Sequence, residues 1–119
     1  MRLRSRLRTL LAAAWTLRAA MSARRQLAAG KMPPLDLPRV PGVPESAVWG
    51  VQAVLRPRLF TCLVRASVRQ SWHAAHGQRR DLIIGVKAPG PGFEAHAWLD
   101  GDDPGPARDY HELMRRAAA

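Results

Sequence analysis

The sequence predicts an α+β protein in which a helix packs on a small antiparallel sheet. Three observations support this prediction. Residues 62–77 have helical apolar spacing, residues 81–87 are rich in β-branched side chains, and residues 93–99 alternate between apolar and polar. Glycines and prolines at 88–92 form a turn between the last two segments, so we expect an antiparallel hairpin. A helix covering one face of such a hairpin gives an α+β core.

The size and cysteine content limit the protein classes that remain. A chain of 119 residues suits one domain. Its 47% hydrophobic and 24% charged content argues against wholesale disorder. No apolar run reaches the roughly 18 residues of a membrane-spanning helix. Cys62 is the single cysteine, which excludes an intramolecular disulfide and a cysteine-rich zinc site.

Positive charge is concentrated at the beginning of the chain. Residues 1–31 contain eight basic residues and no acid, which gives +8 of the net +10. Residues 32–119 contain eleven basic and nine acidic residues, which gives only +2. A nucleic-acid-binding domain spreads its basic residues over a folded face, so we do not expect a nucleic-acid partner.

Residues 1–31 are predicted to form a basic amphipathic helix that ends at Gly30. One stripe of this helix carries large and small apolar side chains at helical spacing: Leu3, Leu7, Leu10, Ala14, Leu17 and Met21. Three interpretations stay open. The helix packs on the domain or on a partner protein, it lies on a membrane surface, or it is a cleaved targeting segment.

We predict three parts along the chain: the basic helix at 1–31, a proline-rich connector at 32–45 and a compact core at 46–119. The connector contains five of the ten prolines within residues 33–44, so it can form neither a helix nor a central strand. We expect it to run extended along the surface. The core begins with a short helix that ends at Pro57.

The 62–77 helix has signals at both of its ends. Thr61 is the expected N-cap and Gly77 the expected residue after the C-cap. The side chains predicted to face the core are Leu63, Val64, Ala66, Val68, Trp72 and Ala75. After the hairpin, residues 107–113 fit either a short strand or a helical turn.

Cys62 and His96 are the candidate catalytic residues. The unpaired N–H groups of the first helical turn favour a thiolate at Cys62 and can stabilise an oxyanion. His96 lies on the opposite strand face from Phe93, Ala95, Ala97 and Leu99, and can serve as the base that nucleophilic catalysis requires. The third, orienting group would be one of four aspartates, Asp100, Asp102, Asp103 and Asp109. We expect Asp102 and Asp103 to belong to a solvated acidic turn. The alternative is that Cys62 and His96 are ordinary core residues.

The remaining histidines do not indicate a metal centre. His73 and His76 are three residues apart on a helix, but no third ligand is evident, and we expect both to be solvated. No metal or cofactor is therefore predicted.

Three segments together carry a family resemblance: CLVRAS at 62–67, LIIGV at 82–86 and FEAHAWLD at 93–100. They resemble the transglutaminase-like cysteine proteases that remove leader peptides in lasso-peptide biosynthesis. These are stand-alone proteins similar to the C-terminal half of the fused microcin maturation protein. The resemblance covers about residues 55–110.

The resemblance implies a transglutaminase/papain-like core with Cys62 as nucleophile, His96 as general base and Asp109 as orienting acid. After Trp98 the sequence departs from the family pattern, which leaves Asp103 as the substitute for Asp109. Gln52 is a candidate oxyanion donor by analogy with papain-like sites. The implied reaction is hydrolysis between leader and core peptide through a Cys62 thioester.

The resemblance also implies partners: a leader–core precursor peptide, a leader-recognition protein and a separate lasso cyclase that forms the macrolactam. The basic helix is a candidate docking surface for these proteins, with peripheral membrane contact as another use. A lone cysteine suits a reducing compartment, here a bacterial cytoplasm. Two alternatives remain: a transglutaminase-like acyl transferase, and a non-catalytic basic scaffold or membrane-surface protein.

Overall fold

A computed structural model describes residues 2–87, 94–103 and 110–119. Three helices precede three strands along the chain. A 3-10 turn at Glu45–Ala47 leads into the second helix. The elements are α1 (Arg2–Ala28), α2 (Val48–Leu55), α3 (Cys62–Ala75), β1 (Leu82–Lys87), β2 (Glu94–Leu99) and β3 (His111–Arg116). This arrangement confirms the predicted α+β class.

The three strands form one antiparallel sheet with the order β2-β1-β3. β1 and β2 are paired throughout, with Leu82 opposite Leu99. The predicted hairpin is therefore confirmed, although its turn at 88–92 and Phe93 lie outside the described residues. The segment that sequence left open as strand or helical turn contributes β3, which pairs with the other edge of β1.

One face of the sheet packs on α3 and forms a small core. Leu82 from β1 and Ala97 and Leu99 from β2 are buried there with Ala66 of α3. Side chains on one face of a strand recur every two residues, so the intervening residues of β2 face away from this core. The side chains of His96 and Trp98 therefore lie on the face of β2 opposite the small core.

α1 packs on the domain by a face other than the leucine stripe. The stripe residues are exposed: Leu3 by 71%, Leu7 by 53%, Leu10 by 64%, Leu17 by 52% and Met21 by 42%, with Ala14 exposed as well. The buried residues of α1 lie on another face and are mostly small: Ala12, Trp15, Thr16, Ala19, Ala20 and Ala23. They belong to the main core, which also contains Val51 of α2 and Trp72 of α3. The leucine stripe therefore does not pack on the rest of the domain.

Small residues let α1 and α2 approach closely. A Cβ atom added at Gly50 of α2 would overlap the backbone of α1 at Thr9 and at Ala13. Only glycine fits at this crossing, because any larger side chain would have to displace a helix backbone. The deep packing of α1 on α2 thus depends on small side chains rather than on leucines.

Residues 31–44 form neither helix nor strand and contact α1. Trp15 of α1 donates from Nε1 to the Pro38 carbonyl over 2.9 Å. Gln26 donates to the Asp36 carbonyl over 2.8 Å and accepts from its N–H over 3.0 Å. The buried side chains of Leu35 and Val43 add apolar contacts to the main core. Side chains of α1 thereby satisfy backbone groups of the connector that are not paired in a helix or strand.

The helices of the described ranges include none whose length and apolar content suffice to cross a membrane. α1 is long enough, but its basic residues recur on every turn up to Arg8.

Candidate functional site

Cys62 is the first residue of α3, directly after its cap. Thr61 has an extended backbone, and its Oγ1 accepts a hydrogen bond from the Val64 N–H over 3.3 Å. At the other end Gly77 has a φ of +81°, as a residue that terminates a helix in the left-handed region does. Both predicted caps are therefore confirmed. Cys62 is half-buried and packs beside Ala66 and the sheet residues of the small core.

His96 lies in the middle of β2, on the face opposite Ala97 and Leu99. Its ring stacks on Trp98, with centroids 5.8 Å apart and planes inclined by 20°. The ring of Tyr110 lies 5.3 Å from His96 on another side. Two aromatic contacts restrict the orientation of the half-buried imidazole, and Tyr110 is itself held by a 3.2 Å hydrogen bond to Glu94.

A glycine in β1 makes room for the Trp98 indole. Gly85 is opposite His96 in the sheet register. A Cβ built there would lie 2.7 Å from the ring of Trp98 and 2.8 Å from the His111 carbonyl oxygen. The glycine of the LIIGV segment therefore has a specific structural role, because a larger residue would push the indole away from its place beside His96.

Cys62 and His96 line the same cavity, which has a volume of about 140 Å³. It lies where the N-terminal half of α3 meets β2. The other lining residues are Arg65, Ala66, Arg69, Ala97, Trp98 and Asp102. No hydrogen bond joins Sγ of Cys62 to the His96 ring in the described part of the chain. Catalytic hydrogen bonds are often long in a free enzyme and shorten when substrate binds. Because β2 is an edge strand, residues from both of its faces line this opening together with Cys62.

Asp102 is an ion-pair centre rather than a residue of a solvated turn. Its carboxylate accepts from Arg69 over 2.7 and 2.9 Å and from Arg80 over 2.7 Å. It also accepts from the Leu99 N–H over 3.0 Å. Burial alone would raise the pKa of Asp102, but the hydrogen bonds from Arg69 and Leu99, together with the positive charges, hold it well below its usual value. The expectation that Asp102 is solvated was wrong.

The predicted third residue, Asp109, lies outside the described residues. Its neighbour in the chain, Tyr110, packs on His96 as described above. The substitute candidate Asp103 is exposed and does not line the cavity. Asp100 is exposed as well and lies 3.5 Å from Arg115. Asp102 lines the cavity, but its two arginines and the Leu99 amide use both of its oxygens.

A second opening adjoins the first along α3. It is a groove of about 310 Å³ between α2 and α3, to which Arg65 and Arg69 also contribute. Gln52, the suggested oxyanion donor, lines this groove and not the cavity of Cys62. The sequence analysis did not identify Arg65 and Arg69 as site residues. Their positions three and seven residues after Cys62 were the signal that they share its helix face.

The histidines of α3 have separate surroundings. His76 is not solvated as expected: its ring nitrogens lie 2.8 Å from the Trp72 carbonyl oxygen and 2.9 Å from that of Val43. His73 instead lines the α2–α3 groove. Within the described ranges, no three His, Cys, Asp or Glu side chains are grouped as metal ligands.

Comparison with known proteins gives one result. A family model described as the transglutaminase-like superfamily matches residues 3–116, from α1 to β3. Searches of curated proteins and of solved structures find no match. The matched range includes Cys62 and His96 and also α1.

Proposed function

Because the chain belongs to the transglutaminase-like superfamily, whose members are typically cysteine proteases or acyltransferases, we propose that it is a cysteine peptidase that removes the leader from a lasso-peptide precursor. The observation that supports the proposal most is the shared cavity of Cys62 and His96. The lasso-peptide substrate is inferred from the three sequence segments that resemble that family. The reducing interior of a bacterial cell is the proposed compartment.

In the proposed reaction Cys62 is the nucleophile and His96 transfers the protons. His96 accepts the thiol proton of Cys62, and Sγ attacks the carbonyl carbon of the scissile peptide bond. Backbone N–H groups of the first turn of α3 stabilise the oxyanion that forms. The C–N bond then breaks, His96 returns the proton to the leaving amine, and a thioester remains on Cys62. Water, deprotonated by His96, hydrolyses the thioester to the leader carboxylate and the free thiol.

We propose Asp109 as the group that orients the His96 ring. Support comes from its chain neighbour Tyr110, which contacts that ring. Asp103 remains the substitute. The full set of bonds that Asp102 makes to Arg69 and Arg80 argues against a direct role for it in orienting His96.

We further propose that the exposed leucine stripe of α1 binds the leader-recognition protein. Large apolar residues left in water over five turns of a helix indicate an interaction surface. The leucine stripe favours a partner with an apolar groove. The flanking arginines, with no acidic residue before Asp36, favour an acidic rim around that groove. A lasso cyclase would then act on the freed core peptide. A membrane surface is the competing occupant of the stripe.

An acyl transferase is the second candidate, and superfamily membership favours it too. The same Cys62 thioester would be attacked by an amine instead of water. The two reactions differ in mass, because hydrolysis adds water to the precursor fragments whereas transfer joins the acyl fragment to the amine.

The test uses purified protein, a candidate precursor and its leader-recognition protein, with mass spectrometry of the products. We expect wild type to release the leader and both Cys62→Ala and His96→Ala to be inactive while keeping the wild-type thermal transition. Cys62→Ser is a matched control, because it preserves shape and removes the thiol. The proposal would be contradicted if all proteins gave equal products, or if wild type cleaved nothing in the presence of a leader-recognition protein shown to bind it. Either result would favour a non-catalytic scaffold protein.

A further inference from the structure

The α2–α3 groove contains more unsatisfied hydrogen-bonding groups than any other feature of the described chain. Buried side-chain nitrogens without a partner occur, within those residues, at Arg65 Nε, Trp72 Nε1 and His73 Nδ1. All three residues line this one groove. Trp72 is 0% exposed, so its indole N–H has no access to water. Buried donors in native proteins are nearly always paired, so the unpaired Arg65 Nε and Trp72 Nε1 indicate a missing acceptor at this opening. Nδ1 of His73 is a further donor in one of the two neutral tautomers.

The charges around the groove favour an anionic acceptor. Arg56 and Arg65 form no ion pair with any described residue, whereas Arg69 shares the carboxylate of Asp102 with Arg80. Burial, followed by the positive charges of Arg80 and Arg69, lowers the pKa of His73, so its ring is neutral at pH 7. Glu45 is the other acid that acts on His73. Two guanidinium groups therefore remain without a counter-charge.

The groove adjoins the cavity of Cys62 and His96, because Arg65 and Arg69 line both. Arg65 is one helical turn and Arg69 two turns beyond Cys62, about 4.5 and 10.5 Å along the axis of α3. An extended peptide advances about 3.3 Å per residue. A side chain within about three residues of the scissile bond would therefore reach the groove.

We propose that the α2–α3 groove is a specificity subsite that binds a carboxylate side chain of the peptide substrate near the scissile bond. The subsite rests on the proposed peptidase function. The carboxylate accepts from the guanidinium of Arg65, whose fork geometry matches it, in a groove whose wall includes Trp72. Arg56, exposed at the rim, adds attraction at longer range.

Binding can be tested without catalysis. The full chain, labelled with ¹⁵N, is titrated with N-acetyl-glutamate N-methylamide, and the assigned indole N–H signal of Trp72 is followed by NMR. The neutral glutamine analogue and inorganic phosphate are the comparison probes. We expect a saturable shift with the glutamate probe, and binding about tenfold weaker or more for the other two.

Arg65→Met keeps the apolar stem and should weaken binding of the glutamate probe at least about tenfold. Arg58→Met is the matched control, since Arg58 is exposed and does not line the groove. Arg56→Met, at an exposed position, serves as a second variant if Arg65→Met does not fold. Equal binding of the glutamine analogue, tighter binding of phosphate, or wild-type binding by every folded groove variant would overturn the carboxylate subsite.

A second measurement separates this proposal from the peptidase proposal. Precursor peptides with single Glu or Asp residues placed at each of three positions on either side of the cleavage site are compared with their amide forms. We expect one position at which the amide raises KM about tenfold with little change in kcat. Cleavage with no such position, and no NMR shift, overturns the subsite alone. An NMR shift without cleavage of any peptide overturns the peptidase and leaves a carboxylate-binding groove.

Discussion

The imidazole of His96 and the indole of Trp98 lie nearly parallel on one face of β2, 5.8 Å between centroids. Their separation by two residues puts both side chains on the face away from the α3 core. The indole fits there because Gly85 on the neighbouring strand has no side chain. Placement of the candidate base thus depends on three residues of the LIIGV and AHAW segments acting together.

Gly85→Ala should lower both stability and activity. The new methyl group would lie within 3 Å of the Trp98 ring and of the His111 carbonyl, so either the indole or β3 must move. We expect a loss of about 1 to 3 kcal/mol in the free energy of unfolding, measured by urea denaturation. We also expect kcat/KM for precursor cleavage to fall, because His96 loses its stacking partner.

Gly42→Ala is the control for that substitution, since a Cβ at Gly42 meets no atom within 4 Å. It should leave stability and cleavage close to wild type. Wild-type stability of Gly85→Ala would mean that the sheet adjusts freely and that Trp98 does not fix the His96 ring.

Thr61→Ala should destabilise the protein by about 1 kcal/mol through loss of the cap on the Val64 N–H. The first turn of α3 holds Cys62 and the amides that stabilise the oxyanion, so alkylation of the thiol by iodoacetamide should also slow. Urea denaturation and the alkylation rate at pH 7 are the two measurements. Thr61→Ser retains the hydroxyl and should have the stability and alkylation rate of wild type. A loss of stability as large as that of Thr61→Ala would show that the Thr61 methyl group, and not the cap, stabilises the protein.

Asp102→Asn should remove an acid-sensitive part of the stability. The pKa of Asp102 in the folded protein lies below its ordinary value of 3.8, so its contribution is full above that value and is lost as the pH falls further. We expect the variant to be less stable than wild type by about 1 to 2 kcal/mol at pH 7. The difference in free energy of unfolding between wild type and Asp102→Asn should become smaller between pH 5 and pH 2, as measured by urea denaturation at each pH.

Asp36→Asn is the control, because Asp36 is exposed and its side chain lies outside the Arg69–Asp102–Arg80 network. A difference in free energy of unfolding between wild type and Asp102→Asn that stays constant down to pH 2 would contradict the role of the ionised carboxylate.

Features determined by neighbouring residues could be predicted from the sequence. Thr61 and Gly77 bound α3 through backbone bonds made within one turn, and the β1–β2 hairpin follows from alternation and a short turn. The same local signals, the start of α3 and the alternation in β2, identified Cys62 and His96 as candidates, and both residues line one cavity.

Features determined by distant residues could not be predicted. The leucine stripe of α1 left packing on the domain as one of several interpretations, yet close helix packing selects small side chains such as Ala19 and Ala20. Asp102 in a Gly- and Asp-rich turn suggested solvation, and only the fold brings Arg69 to it from 33 residues away. No pattern in the sequence shows that the nitrogens of Trp72 and His73 lack partners.

The two faces of α1 should respond oppositely to substitution. Leu7→Ser with Leu10→Ser changes residues that are 53% and 64% exposed, so stability should stay within about 0.5 kcal/mol of wild type. If the stripe binds the leader-recognition protein, the double variant should lose cleavage of the full precursor yet still cleave a short peptide spanning the cleavage site. Ala19→Leu, at a position with 0% exposure, should instead destabilise the fold by about 1 to 3 kcal/mol.

Leu59→Ser is the control for the double variant, because Leu59 is 72% exposed but lies outside α1. Affinity for the leader-recognition protein, measured by calorimetry, should fall with Leu7→Ser and Leu10→Ser and not with Leu59→Ser. Co-sedimentation with vesicles of anionic lipids tests the competing interpretation, in which the stripe binds a membrane surface. Loss of vesicle binding with unchanged protein affinity would assign the stripe to a membrane surface. Deletion of α1 cannot make this distinction, since its alanine face and Trp15 belong to the core and their removal would unfold the protein.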